Sequence, residues 1–140
     1  RLDNMQAAIL GLNLKEYEGE IARRREIASI YQDRLGDLSE LQLPPAPGSE
    51  PDHFDVFQNY ELEADRRDDL QKYLRAQGVG SLVQWGGKAV HQIKALGLSA
   101  NVPYTEKMFK RCLMLPMNTS LTDDDVAYVC DTIRHFYARE

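Results

Sequence analysis

Residues 113–137 read LMLPMNTSLTDDDVAYVCDTIRHFY, and the change of pattern inside this stretch decides the fold class. Leu113-Met114-Leu115 is a short apolar run of strand character. Pro116 closes it, because proline has no N–H with which to continue a ladder. Thr122 then stands where a helix cap belongs, with Asp125 at the third position, the spacing of a capping box. Val126, Val129, Ile133, Phe136 and Tyr137 follow at steps of three and four, the stripe of an amphipathic helix. The acids Asp123-Asp124-Asp125 look like a metal cluster only superficially, since a first helical turn favours carboxylates through the helix dipole.

Working towards the N-terminus, the same alternation of elements recurs. Tyr104 to Leu113 reads as a helix, and Ala89 to Leu96 as a weaker one ending at Gly97. Ser81-Leu82-Val83-Gln84-Trp85 reads as a short strand broken by Gly86-Gly87. Asp65 is placed to cap a helix with Leu70, Tyr73 and Leu74 inward and Gly78 at its end. Phe54, Val56, Gln58, Tyr60 and Leu62 alternate with their neighbours, which predicts a strand with one drier face. Pro44, Pro45 and Pro47 make the preceding stretch a loop. The order suggests an α+β or α/β layer, a small sheet with helices packed on one side.

Leu2, Met5, Ile9 and Leu12, then Tyr17, Ile21, Ile27, Tyr31 and Leu35, predict a long leading helix that starts at an Asp3–Gln6 capping box and stops at Gly36. Unbroken, it would run roughly 50 Å at ~1.5 Å per residue. That exceeds the width of a domain of this size, so the pattern predicts a break near Gly11-Leu12-Asn13 or Gly19, or else a bridge to protein beyond this sequence. The expected division is residues 1–36 as leading helix and 37–140 as a small domain.

The 140 residues, 43% hydrophobic and 28% charged, suit one domain with a core and exclude wholesale disorder or a coiled-coil rod. There is no run of the ~20 apolar residues a membrane span needs, no signal peptide is visible and no initiator Met is present, so the sequence reads as part of a longer protein, and a cytoplasmic one. A net charge of −5 argues against a nucleic-acid partner. Arg23-Arg24-Arg25, flanked by Glu18, Glu20 and Glu26, reads as a solvated helix face. Cys112 and Cys130 read as free thiols, and His53, His91 and His135 lack metal-ligand spacing.

One segment stands apart. Gln84-Trp85-Gly86-Gly87-Lys88-Ala89-Val90-His91-Gln92 gathers the single Trp, a cation, an imidazole and two amides around a glycine pair at the end of a strand. Such loops are common binding positions. The pattern equally suits a core Trp, a glycine turn and a helix with surface Lys and His.

Several stretches resemble the DegT/DnrJ-type sugar aminotransferases. They are Arg1-Leu2-Asp3-Asn4-Met5-Gln6-Ala7-Ala8, then Arg24-Arg25-Glu26-Ile27-Ala28-Ser29-Ile30-Tyr31 with Leu35, His53-Phe54, Arg67-Asp68-Asp69-Leu70, Leu74 through Gly78-Val79, and Leu113-Met114-Leu115-Pro116-Met117 followed by Leu121-Thr122-Asp123. The resemblance implies the C-terminal part of a fold-type-I transferase that uses pyridoxal 5'-phosphate: the leading long helix and the small α/β domain, a small, mostly antiparallel sheet with helices packed on it. It implies amino transfer, with glutamate as donor, to a keto group on a sugar nucleotide, in a homodimer. Gln84, Trp85, Lys88 and His91 would bind substrate and Arg1 would lie beside the cofactor, while the Schiff-base lysine would fall outside the chain. Gln84-Trp85-Gly86-Gly87 stands where many relatives carry a His-Tyr-Pro-type segment, which leaves the sugar open. Two alternatives stand beside this reading: a pyridoxamine-phosphate-dependent sugar dehydratase, and a binding module without catalysis.

Overall fold

The computed structural model describes residues 3–139. In chain order its elements are α1 (Asn4–Asn13), α2 (Tyr17–Leu35), β1 (Leu41–Gln42), β2 (Tyr60–Ala64), α3 (Arg67–Ala76), α4 (Pro103–Arg111), β3 (Cys112–Leu115) and α5 (Asp123–Tyr137), with three tight single turns between Gln84 and Leu96. The strands form one antiparallel sheet in the order β1-β2-β3, with Tyr60 opposite Leu115 and Leu62 opposite Leu113.

Period-two alternation divides the sheet into a dry and a polar face. Tyr60, Leu62, Ala64, Leu113 and Leu115 are buried. They join a core with Ile27, Ala28, Tyr31 and Leu35 of α2, Leu70 and Leu74 of α3, and the α5 stripe Val126, Val129, Ile133, Phe136 and Tyr137. The α5 box forms as the spacing requires: Asp125 N–H donates to the Thr122 hydroxyl at 3.1 Å, and Thr122 N–H to the Asp125 carboxylate at 2.9 Å. Glu61, Glu63, Cys112 and Met114 take the other, half-exposed face. The sheet's outer edges are blunt. β1 runs straight into Pro44 and Pro45, and beyond β3 only an isolated Leu82–Met114 bridge continues the pairing.

The leading segment is two helices, divided at Leu14–Glu16. Both glycines suspected of breaking it lie inside helices. The Asp3–Gln6 box caps α1, yet no described side chain of α1 is buried, and Met5, Ile9, Leu10 and Leu12 face solvent. Leu2, the first member of that stripe, lies outside the described residues.

Three expectations fail for physical reasons. The strand expected from Phe54 begins only at Tyr60. Phe57 sits at φ +51 with its ring buried, and its N–H is taken by the Asp55 carboxylate at 2.7 Å. Arginines satisfy the carbonyls that a strand partner would use: Arg25 Nη1 donates to Asp55 at 2.6 Å, and Arg24 Nη1 to Gln58 at 3.0 Å and Met117 at 2.8 Å. With Arg23 Nη2 donating to the Leu121 carbonyl at 2.6 Å, the arginine triplet is a clamp between α2 and two loops, not a solvated face. The cap expected from Asp65 is also absent: α3 starts after Arg66, in the left-handed region, with no side-chain hydrogen bond to the helix end.

Candidate functional site

The segment singled out in the sequence lies past the bridge that joins Leu82 to Met114 (N···O 3.1 and 2.8 Å). In place of a strand and a helix it makes tight turns. Trp85, Gly86 and Gly87 follow one another at φ +54, +63 and +71. At Gly87 a Cβ would stand 3.3 Å from the Val83 side chain, in a conformation L-residues rarely adopt, so the turn requires glycine there. Trp85 bears the strain of left-handed geometry without that freedom, and its side chain is 77% exposed. Among the described residues Trp85 is thus no part of the core.

Gln84 and Trp85 border a cleft of about 430 Å³ over the polar face of the sheet. Its other walls are Gln42 and the Pro44-Pro45 turn, Glu61 and Glu63 from β2, Met108 and Phe109 from α4, and Cys112. Glu63 is occupied by Arg111, whose Nε donates to it at 3.1 Å and which also pairs with Asp65. Burial pushes the Cys112 thiol up to about 11, with Glu61 and Glu63 adding to the effect, so it stays protonated at neutral pH. Two carboxylates, two amides and exposed aromatic surface suit a hydroxylated ring and repel phosphate.

Lys88 and His91 are not among the residues lining this cleft. Lys88 is exposed. His91 is half-buried, and its Nε2 lies 3.2 Å from Glu106 Oε1 on α4. The turn carrying it is closed on itself, with Ala89 N–H donating to the Gln92 side chain at 3.0 Å and Gln92 N–H to the Ala89 carbonyl at 2.9 Å. The structure thus brings Gln84 and Trp85 to one cleft, and holds His91 by a partner, Glu106, that sequence reasoning passed over. Nothing in the sequence pairs positions fifteen residues apart across two turns. Arg1 lies outside the described residues.

A lysine able to hold pyridoxal phosphate must be enclosed, with its amine desolvated. Lys15, Lys72, Lys88, Lys94, Lys107 and Lys110 are all exposed. The described residues therefore do not form a cradle for that cofactor. No three His, Cys, Asp or Glu side chains among them converge as metal ligands, and no described helix is long and apolar enough to cross a membrane.

The model of the DegT/DnrJ/EryC1/StrS aminotransferase family matches residues 1–134. The chain is 33% identical over 140 residues to the "pleiotropic regulatory protein" of Geobacillus stearothermophilus, a match covering 98% of this chain and 37% of that one. It is 32% identical over 136 residues to the UDP-N-acetyl-3-dehydro-alpha-D-glucosamine 3-aminotransferase of Acidithiobacillus ferrooxidans, covering 96% and 36%. An X-ray structure of Streptomyces venezuelae DesV in complex with a ketimine intermediate superposes with a TM-score of 0.91 at 29% identity, covering 100% of this chain and 38% of that one. The chain thus spans little more than a third of the relatives it matches.

Proposed function

We propose, from the premise that this chain belongs to the DegT/DnrJ/EryC1/StrS aminotransferase family, that it is the substrate-facing small domain of a pyridoxal-phosphate-dependent sugar aminotransferase. The reaction moves an amino group, from glutamate in this reading, to a keto group on a nucleotide-linked sugar. The cofactor supplies the group-transfer chemistry when bound. The lysine that holds it belongs to the remainder of the protein, because all six lysines here are exposed. Residues 1–36 lead from that remainder into the small domain of residues 37–140.

The observation that carries the reading is Trp85, a large aromatic held in solvent by a left-handed backbone at the end of the sheet. Strain and exposure together are costly for stability alone and are characteristic of binding positions. Trp85 stacks on a ring of the substrate, Gln84 offers its amide, and Lys88 and His91 meet polar groups farther along the segment. The apolar side chains of α1 that face solvent in the described residues support burial against the rest of the protein in a homodimer. Two free thiols support a reducing, cytoplasmic setting.

The test uses the full-length protein with glutamate and UDP-linked 3-keto sugar. Glutamate-dependent formation of an amino sugar is expected, and Lys88→Ala should lower kcat/KM for the sugar roughly tenfold or more, the loss of a charge-assisted contact. Absence of amino transfer to any nucleotide-linked keto sugar would overturn the proposal.

A further inference from the structure

His91 and Glu106 form the one described contact that ties the substrate segment to α4 through charged or titratable side chains. The His91 side chain is 13% exposed and that of Glu106 42%. The backbone under His91 is fixed by the closed Ala89–Gln92 turn, and Glu106 sits in the first turn of α4, behind Pro103. His91 is well covered, and Glu106, half-exposed, reaches it from a fixed place on the helix.

The chemistry of the pair selects one nitrogen. An ionised carboxylate only accepts, so in the neutral imidazole Nε2 carries the hydrogen that it donates towards Glu106. The nitrogen left over is Nδ1. Among the described residues Nδ1 makes no hydrogen bond, and it is not among the buried polar atoms sealed without a partner. An imidazole that is largely covered, oriented by a carboxylate on one side and open on the other, has the arrangement in which a partner on one nitrogen sets the role of the other.

We infer that Glu106 is a positioning residue for the sugar-nucleotide site: by accepting from His91 Nε2–H it presents Nδ1 as an acceptor for a hydroxyl of the substrate. This rests on the reading of His91 as a substrate residue given under Proposed function, and adds to it the atom used and the residue that orients it.

The test is a double-substitution cycle in the full-length protein, read by calorimetric Kd for UDP-N-acetylglucosamine and by Tm. His91→Gln reaches Glu106 with its amide yet has nothing at the Nδ1 position, so it should weaken binding about tenfold while Tm stays within a few degrees. Glu106→Ala should weaken binding about fivefold in the wild-type background and less than twofold when combined with His91→Gln, since its effect passes through the imidazole. Glu106→Gln, which keeps a carbonyl acceptor, should recover most of the affinity. If His91→Gln weakens binding while Glu106→Ala loses the same factor in both backgrounds, or none in either, the positioning role is overturned and the substrate reading of His91 stands. Wild-type affinity in every variant, or a wild-type protein that does not bind the probe, overturns both. A large fall in Tm for Glu106→Ala that Glu106→Gln does not reverse, without the expected non-additivity in binding, marks the pair as a fold tie and also overturns the inference.

Discussion

The hydroxyl of Tyr31, in the middle of α2, donates to the carbonyl of Pro116 at 2.8 Å. The proline that ends β3 is thus secured by a residue far away in sequence, and the Tyr31 ring packs on that of Tyr60 with centroids 4.7 Å apart. Tyr31→Phe should remove the hydrogen bond alone and destabilise by about 1 kcal/mol. Tyr31→Ala should cost about 3–5 kcal/mol through the cavity it leaves. Urea unfolding of both variants checks the difference; no loss in Tyr31→Phe would show that the bond contributes nothing beyond the ring.

Arg24 holds the loop before β2 by its carbonyls. Replacing it with Met should destabilise by about 1.5–3 kcal/mol, the range for hydrogen bonds to a charged group. Arg24→Lys should recover part of the loss, because a single nitrogen, Nη1, reaches both the Gln58 and Met117 carbonyls and an ammonium also carries several donors on one nitrogen. Amide hydrogen exchange should quicken first at residues 55–59, and uniform protection there would count against the clamp.

Trp85→Gly separates folding from function. Glycine is at ease at φ +54, and the exposed indole contributes little packing. Stability should rise by up to about 1 kcal/mol, while binding of the sugar nucleotide falls by about 0.5–1.5 kcal/mol of lost stacking. Melting curves and titration of the full-length protein test the two arms. A lower Tm would mean that the indole packs as core.

Alkali should unfold the domain in a defined window. Burial pushes the Cys130 thiol up to about 12 and the Tyr137 phenol up to about 12. Unfolded, these groups release protons near ~8.5 and ~10. Between those values and 12 the unfolded state binds fewer protons, so stability is fully present below the unfolded values and falls as pH rises. Urea midpoints should decline from pH 8 to pH 11, and Cys130→Ala should flatten the early part of that decline. A midpoint independent of pH across this range would refute the account.

What was legible in the sequence was what neighbours along the chain decide. The Thr122–Asp125 and Asp3–Gln6 boxes, the α5 stripe and the end of β3 at Pro116 each depend on residues within a turn or two, and each forms. The stretch 54–59 carried strand-like alternation but is ruled by Arg24 and Arg25, some thirty residues earlier, whose side chains satisfy its carbonyls. Likewise, Gln84 to Gln92 stands out by composition, but neither the exposure of Trp85 nor the link from His91 to Glu106 leaves a periodic trace.

The blunt edges of the sheet have a consequence for life in a crowded cell. A three-stranded sheet with one polar face offers its rims to any extended chain that can add a strand. Here Pro44 and Pro45 remove two donors just past β1, and the far rim carries a lone bridge instead of a full strand, with the Cys112 carbonyl already receiving Arg67 Nη1 at 2.8 Å. A chain adding from either side would meet proline or a lone bridge where a full strand would pair, which disfavours strand addition at both rims.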